Sequence, residues 1–331
     1  MQHPAVESGE AGTPAPANRR HGTSIGPRMA EWAMPQPLNP VATRSTMASA
    51  EQQGEEQSGL VRLIRRTRRL VVLTGAGCST DSGIPDYRDA QGAWKRSPPM
   101  PYQQFIASVA ARQRYWARAL IGWRALRDLA PNAAHGVLAR LERAGRIDTL
   151  ITQNVDGLHQ RAGSRNVIDL HGRIDTVECL QCARRWPRER VQEQLEQLNP
   201  QWSARSADRA PDGDALLTET DYSGFRLVDC EHCEGTLKPA VVFFGESVPE
   251  QRVQLAYAAV EAADALLVVG SSLMVFSGYR FVRAARERTI PVAIVNLGRT
   301  RADADASLKI DGPCAAVLGQ LELQLARHPV D

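Results

Sequence analysis

Residues 70–79 read LVVLTGAGCS, a short apolar run that leads directly into a glycine-rich turn. The apolar part has the length of a buried strand, and the glycines would let backbone N–H groups approach a pyrophosphate closely. The full GxGxxG fingerprint is absent, so the segment alone also fits an ordinary tight turn between a strand and a helix. It marks the start of an α/β pattern, and the rest of the chain decides between the two interpretations.

Apolar runs of strand length recur along the chain and end in glycine or polar residues. They lie at residues 149–152, 167–170, 241–244, 265–269 and 292–295, and helical segments are predicted at 131–144, 249–263 and 279–288. Alternating strands and helices predict a doubly wound, Rossmann-like parallel sheet of the α/β class. Ligands bind such sheets at the carboxyl ends of the strands, where these polar residues lie.

Six cysteines are too few for a disulfide framework in a chain of 331 residues, and four of them form two CxxC pairs. Cys179, Cys182, Cys230 and Cys233 predict one structural zinc ion, because two residues between thiols let one turn present both sulfurs to a tetrahedral site. Two separate redox-active sites remain the alternative. The pairs interrupt the strand–helix alternation, so residues 173–237 are predicted to form a small zinc-binding domain.

Composition suggests the remaining boundaries and the class of protein. Residues 1–57, rich in proline and small polar residues without a signal-peptide apolar core, are predicted to be a disordered tail. Residues 58–172 and 238–331 would form the sheet domain, with a helical lid over 98–130. The 40 basic and 37 acidic residues nearly balance, which argues against nucleic-acid binding. No apolar run reaches the ~18 residues of a membrane span. A cytoplasmic protein is expected, or one of the mitochondrial matrix if the source is eukaryotic.

Taken in order, the motifs resemble the sirtuin family of NAD-dependent protein-lysine deacylases. The matching segments, spread over about four-fifths of the chain, are residues 75–79 (GAGCS), 83–88 (GIPDYR), 152–156 (TQNVD), 170–172 (LHG), both CxxC pairs, 244–246 (FGE), 270–272 (GSS) and 295–296 (VN). The IPDYR wording, residues 112–118 and the long insertion between the CxxC pairs resemble the class II branch, which includes a mitochondrial animal member and bacterial relatives. Cys78 stands where Ile, Val or Met is common in the family, and we expect a loop that binds through its backbone to tolerate it.

The resemblance implies that NAD is held along the strand ends. The implied contacts are Gly75, Ala76, Gly77 and Ser79 at the phosphates, Asp86, Tyr87 and Arg88 on a closing loop, Gln153, Asn154 and Asp156 at nicotinamide and ribose, Gly270, Ser271, Ser272 and Asn296 at the adenosine end, and Cys314 near the adenine.

The resemblance also implies that His171 is the catalytic base, with Asn154 as a second catalytic residue. In sirtuin chemistry the nicotinamide–ribose bond of NAD breaks while the acyl-lysine carbonyl oxygen attacks the anomeric carbon. A ribose hydroxyl must then lose its proton, which a histidine with a pKa of ~6.5 can accept near neutral pH. The implied products are nicotinamide, free lysine and 2′-O-acyl-ADP-ribose. The other histidines are predicted to be structural or surface groups.

The implied substrates are acylated-lysine proteins or peptides, with no nucleic-acid or membrane partner. An extended peptide would add as a strand between residues 241–246 and the loop after Ser272, so Phe244, Gly245 and Glu246 are predicted contacts. Tyr115 and Arg118 resemble the pair with which succinyl- and glutaryl-preferring sirtuins hold an acyl carboxylate, although an arginine-rich solvated helix would give the same spacing.

Two other functions stay open. A mono-ADP-ribosyltransferase would pass the same activated ribose to another nucleophile. A catalytically poor, NAD-sensing interaction module would be expected to lack His171 or Asn154, and both are present.

Overall fold

The computed structural model describes residues 40–89, 91, 93–95, 99–203, 205, 214–215, 217 and 220–327. Helix α1 (Pro40–Arg66) begins inside the stretch predicted to be a tail, and residues 1–39 lie outside the described part. Residues 48–57 are rich in Ala, Glu and Gln, which favour helix. The helix is anchored because Leu60 and Ile64, four apart, are fully buried and the Gln57 side chain donates a hydrogen bond to the Val317 carbonyl at 3.1 Å.

The larger sheet has six parallel strands in the order β3-β2-β1-β7-β8-β9, which confirms the predicted doubly wound architecture. Its central strands are continuous apolar runs because both faces are covered by helices, and Val72 of β1 lies between Leu150 of β2 and Leu267 of β7. The order reverses beside β1, which creates a crevice at the carboxyl ends of β1 and β7. The strands are β1 (Leu70–Thr74), β2 (Thr149–Thr152), β3 (Val167–Asp169), β7 (Ala265–Val269), β8 (Val292–Val295) and the unpredicted edge strand β9 (Leu308–Ile310).

Helices pack on both faces of this sheet. On one face, Leu138 of α4 and Leu318 of α10 share a core with Leu60 of α1. On the other, Ala256 of α8 packs near Phe281 of α9. The bounds are α4 (Ala133–Arg143), α5 (Leu158–Arg161), α8 (Glu250–Glu261), α9 (Phe276–Glu287) and α10 (Cys314–Arg327), so the three predicted helical segments are confirmed. No helix among the described residues is long and apolar enough to cross a membrane.

A second, smaller sheet carries the cysteine pairs and has the antiparallel order β5-β4-β6. Its elements are β4 (Gly172–Cys179), β5 (Arg185–Pro187), α6 (Arg188–Leu198), α7 (Pro200–Ser203) and β6 (Leu237–Val241). The strand predicted at residues 241–244 is therefore wrong: the strand ends at Val241 and pairs with β4, not with the parallel sheet. Residues 242–244 are apolar because they line the cavity described below.

The predicted helical lid forms two helices, α2 (Tyr102–Ala107) and α3 (Val109–Arg127). Phe105 and Leu120 share a core with Cys179 and Leu195 of the smaller domain, and the Trp116 indole donates to the Leu237 carbonyl at 3.3 Å. The lid was predicted to belong to the parallel-sheet domain; in the structure it shares a core with the cysteine pairs, and Trp123 and Leu126 also pack with Leu158 of the parallel-sheet domain. We call residues 99–127 and 172–241 together the cysteine lobe.

The chain passes into the smaller sheet between His171 and Gly172 and leaves it between Val241 and Val242. These two crossings are bonded to each other, because the Val242 N–H donates to the His171 carbonyl at 2.8 Å. Gly172 has φ +83°, and a Cβ there would lie 2.0 Å from the Ala240 carbonyl oxygen. The crossing therefore requires glycine, and it fixes His171 at the junction of the two lobes.

Candidate functional site

A cavity of about 650 Å³ lies between the lobes, at the carboxyl ends of β1, β2 and β7. Nearly all the residues predicted to hold a cofactor line it, together with His171. They are Gly75, Ala76, Gly77, Ser79, Asp86, Tyr87, Arg88, Gln153, Asn154, Asp156, Gly270, Ser271, Ser272 and Asn296. Cys314 does not: it is buried in the core shared by α1, α4 and α10, so its predicted position near the adenine is not supported.

The glycine-rich turn after β1 interlocks with the turn after β7. The Gly77 N–H donates to the Gly270 carbonyl at 2.8 Å. A Cβ on Gly75 would lie 2.8 Å from the Ser271 Cβ, and one on Gly270 would lie 2.2 Å from the Cys78 nitrogen. Among the described residues the Ala76 N–H makes no hydrogen bond, so it is a backbone donor left for an anionic ligand.

A polar network forms the floor of the cavity. The Ser79 hydroxyl donates to the Asp156 carboxylate at 2.7 Å, and the Asn154 amide nitrogen donates to the Ser79 hydroxyl and to the Gly75 carbonyl, both at 3.0 Å. The Ser271 hydroxyl donates to the Gln153 amide oxygen at 2.6 Å. These bonds hold the side chains that follow β2 against the turns that follow β1 and β7, so one rigid polar surface is presented to a ligand.

His171 is half-buried and bonded through both ring nitrogens. Its Nδ1 lies 2.8 Å from the Gln153 carbonyl oxygen, which can only accept, so Nδ1 carries the proton and Nε2 accepts from the Ser277 hydroxyl, also at 2.8 Å. Burial lowers the pKa of His171 to about 4, helped by the charges of Arg252 and Arg280 and opposed by the bond to Gln153. The imidazole is therefore neutral near pH 7 and able to accept a proton.

Sequence reasoning missed Ser277 and Arg280, which come to the cavity from α9. Ser277 follows the glycine–serine turn by five residues, and nothing in its surroundings in the sequence distinguishes it from a helix-start serine. Only the tertiary contact between α9 and His171, which follows β3, shows that the Ser277 hydroxyl is the partner of His171.

An apolar wall lines the cavity where the cysteine lobe meets residues 242–244. The ring centroids of Tyr115 and Phe243 are 5.2 Å apart, and Phe105 packs against both. Phe244, which also lines the cavity, contacts Trp94 with ring centroids 5.5 Å apart. This wall can receive an apolar chain whose polar end lies near His171.

The predicted peptide contacts lie at the same wall. Phe244, Gly245 and Glu246 all line the cavity. One edge of this segment is already used, because the Tyr102 N–H donates to the Phe244 carbonyl at 2.9 Å. The Glu246 carboxylate accepts from the fully buried Lys238 ammonium at 3.2 Å and from the Phe243 N–H at 2.8 Å, which fixes the turn.

The structure separates Tyr115 from Arg118. Tyr115 lines the cavity, but Arg118 does not: its Nε donates to the Ala215 carbonyl at 2.8 Å. The helical spacing places the two Cα atoms on one side of α3. The Arg118 side chain, which is the longer of the two, extends towards the loop that precedes β6. This geometry does not support the expectation that the pair grips an acyl carboxylate.

The two CxxC pairs form one cluster. Cys179 Sγ lies 3.5 Å from Cys233 Sγ, Cys182 Sγ lies 3.7 Å from Cys230 Sγ, and all four sulfurs fall within 4.8 Å of one another. Four thiolates at the usual Zn–S distance of ~2.3 Å would be spaced by ~3.8 Å, close to these values. The N–H groups of Gln181 and His232 point at Cys179 and Cys230 sulfurs at 3.4 Å. The arrangement fits one structural zinc ion and not two separate redox sites.

Comparisons with known proteins agree with this site. The sequence model of the Sir2 family matches residues 75–277. The NAD-dependent protein deacetylase of Bordetella bronchiseptica is 59% identical over 255 residues, which cover 77% of this chain and 93% of that protein. The NAD-dependent protein lipoamidase sirtuin-4, mitochondrial, of Bos taurus is 48% identical over 267 residues, covering 80% of this chain and 85% of that protein. A solved Sir2 complex with a p53 peptide and NAD+ matches with TM-score 0.64 at 29% identity, covering 82% of this chain and 98% of that one.

Proposed function

Because the chain belongs to the Sir2 family, we propose that it is an NAD-dependent protein-lysine deacylase that transfers the acyl group to ADP-ribose. The observation that carries the proposal is the position of His171. Its neutral imidazole lies where the polar crevice of the parallel sheet meets the apolar wall. A proton acceptor at that junction would face both the ribose of bound NAD and an acyl chain lying on the apolar wall. Similarity to the bovine mitochondrial protein supports the class II branch.

The cavity fits NAD on its own geometry. Residues 75 and 77 pack so closely against residues 270 and 271 that no side chain fits between the two turns, so both turns line the cavity with backbone, and the Ala76 N–H is available there. Gly75, Ala76, Gly77 and Ser79 would hold the phosphates, and Asn296 with the Gly270–Ser272 turn would hold the adenosine end. Bound NAD would supply a ribose activated by its bond to nicotinamide.

The chain's own groups supply proton transfer and positioning. Asn154 uses its amide nitrogen to hold Ser79 and Gly75, which leaves its amide oxygen for the ligand. His171 Nε2 would exchange the Ser277 hydroxyl for a ribose hydroxyl and take its proton, while Nδ1–H stays on the Gln153 carbonyl. Ser277 thus acts as a positioning residue that sets the ring before substrate arrives.

The acyl-lysine would enter along the apolar wall. The lysine's peptide backbone would pair with residues 244–246 and the loop after Ser272, and the acyl chain would lie against Tyr115 and Phe243. Since Arg118 is engaged elsewhere, we infer that neutral acyl groups are preferred over carboxylated ones.

The four-cysteine cluster would hold one zinc ion with a structural role, because four thiolates leave no open coordination position. The cluster shares its core with α2 and α3, so the metal would stabilise the lobe that carries the acyl wall.

The test is a panel of acetyl-, butyryl-, lipoyl-, succinyl- and glutaryl-lysine peptides incubated with NAD, with nicotinamide release measured and products weighed by mass spectrometry. We expect acyl-ADP-ribose and free lysine, fastest with neutral acyl groups. Release of nicotinamide with ADP-ribose on protein, and no acyl-ADP-ribose, would favour the transferase alternative. Absence of peptide-dependent nicotinamide release would reject the proposal.

A further inference from the structure

A second group of metal-ligating side chains lies beneath the glycine-rich turn, away from the four-cysteine cluster. Cys78, His135 and His159 are 1%, 0% and 1% exposed, and one potential ligand atom from each lies within 4.8 Å of the others. They come from three different elements: the turn after β1, the first turn of α4, and α5. None of the three lines the cavity, so the group is not part of the site described above.

His159 has a buried nitrogen without a partner. Its Nε2 lies 2.9 Å from the Thr74 hydroxyl oxygen, and that hydroxyl donates to Thr152 at 2.9 Å. Nε2 therefore carries the proton, and Nδ1 is left with a lone pair and no hydrogen bond. An unpartnered buried acceptor is costly in a folded protein, and a bound cation would satisfy it.

His135 is arranged in a similar way. Its Nδ1 lies 3.0 Å from the Asn132 side-chain oxygen and also 3.3 Å from the Asn132 backbone N–H, while its Nε2 has a long contact of 3.4 Å to the Ser79 hydroxyl. Metal binding would require the tautomer in which Nδ1 donates to the Asn132 side-chain oxygen and gives up the longer contact to the Asn132 N–H. With the proton on Nδ1, Nε2 is the lone pair available to an ion. Histidines that bind metals commonly donate their other nitrogen to an oxygen acceptor in this manner, which fixes the tautomer.

Charge and ligand type narrow the choice of ion. The site offers one thiol and two neutral imidazoles, a soft set that selects zinc or Cu(I) over magnesium or calcium. The Asp156 carboxylate is close enough to act electrostatically on both Cys78 and His135, which adds negative charge for a cation. Burial, the larger effect, raises the pKa of the Cys78 thiol and lowers the pKa of His135.

We propose that Cys78, His135 and His159 form a second metal site for a thiophilic d¹⁰ cation, with Zn²⁺ as the probe, and that the site ties the glycine-rich turn to α4 and α5. Binding would form one Zn–S and two Zn–N bonds and release the Cys78 thiol proton to solvent. Zn–N and Zn–S bonds of ~2.0–2.1 and ~2.3 Å require ligand atoms about 3.5 Å apart, so the group must contract by about 1 Å. That contraction would pull on the turn that carries Ala76 and Ser79.

Zinc stoichiometry tests the proposal. Full-length protein carrying one equivalent of zinc is equilibrated with buffered free Zn²⁺, and bound metal is measured by mass spectrometry. We expect two zinc ions per chain in the wild type and in Cys314→Ala, a control that removes another thiol buried in the same core, and one in Cys78→Val. Equal zinc content in wild type and Cys78→Val would overturn the proposal.

A second measurement covers the case in which Cys78→Val fails to fold. Cys78→Ser keeps the size of the side chain but is a poor zinc ligand, and it should weaken the second zinc at least tenfold. Excess Zn²⁺ should raise the melting temperature of wild type and Cys314→Ala but not of Cys78→Ser. Equal zinc-induced shifts in all three proteins would reject the site. Neither readout uses NAD or deacylation, so failure here is distinct from failure of the proposed enzyme function.

Discussion

Replacing Gly270 by alanine tests whether the two interlocked turns create the cofactor groove. Gly270 has φ +63°, and its added Cβ would lie 2.2 Å from the Cys78 nitrogen and 2.5 Å from the Gly77 carbonyl carbon. Both contacts are with backbone, so no side chain can rotate away. The left-handed conformation costs alanine about 1–2 kcal/mol, and overpacking adds about 1–3 kcal/mol. We expect Gly270→Ala to lose about 2–5 kcal/mol of unfolding free energy.

Gly145→Ala is the matched control. Gly145 has φ +70°, but a Cβ there would meet nothing within 4 Å. It should lose only the conformational cost of about 1–2 kcal/mol. The difference between the two variants therefore isolates the clash between the turns.

Urea unfolding gives the two free energies, and calorimetric titration gives the NAD dissociation constants. Gly270→Ala should bind NAD at least tenfold more weakly, because residues 75–79 must move to admit the methyl group, whereas Gly145→Ala should bind normally. If Gly270→Ala matches Gly145→Ala in stability and the wild type in NAD affinity, the interlocked turns do not form the cofactor groove.

Other substitutions test the remaining roles. His171→Ala should keep its fold and zinc content but lose about 10²–10⁴ in turnover, and near wild-type turnover would exclude it as the base. Since burial lowers the pKa of His171 to about 4, the base stays neutral at mildly acidic pH, and kcat/KM should remain nearly flat from pH 7 to 5.5; a fall of about eightfold over that interval would show an ordinary histidine with a pKa of ~6.5. Cys179→Ala should lose the structural zinc and about 5–10 °C in melting temperature, and full metal-free stability would contradict the zinc assignment. Arg118→Met should slow acetyl- and glutaryl-lysine peptides equally, because Arg118 holds the Ala215 carbonyl, and a selective loss on glutaryl-lysine would restore the carboxylate role.

The buried strands could be predicted because both faces of the parallel sheet are covered, so β1, β2 and β7 are continuous apolar runs. The wrong prediction of a strand that includes residues 242–244 has the same origin. These residues are equally apolar, but they face a ligand cavity instead of a sheet neighbour, and local hydrophobicity does not distinguish the two. The start of α1 was missed because helix-favouring residues without a strong apolar pattern resemble a solvated tail.

Site residues could be predicted from the sequence where they lie in or beside turns whose backbone geometry requires glycine. In the GAGCS and GSS turns, glycines are required because the two turns approach each other closely. His171 precedes another glycine of this kind, Gly172. Ser277 and Arg118 show where prediction of site residues from the sequence fails. Each side chain is placed by a contact between elements that are far apart in the sequence. The residue spacing therefore did not reveal that Ser277 belongs to the site, and it did not exclude Arg118 from the site.

The paired crossings at His171 and Val242 act as a pivot. Rotation of the cysteine lobe about this bonded pair would displace distant groups such as Phe105 and leave the imidazole, at the axis, nearly still. Structures with and without bound peptide would show this as a larger shift of the Phe105 Cα than of the His171 Cα, after superposition on the parallel sheet. Acyl groups of different length could thus be accommodated by swinging one wall of the pocket, while the distance from the proton acceptor to the ribose stays constant.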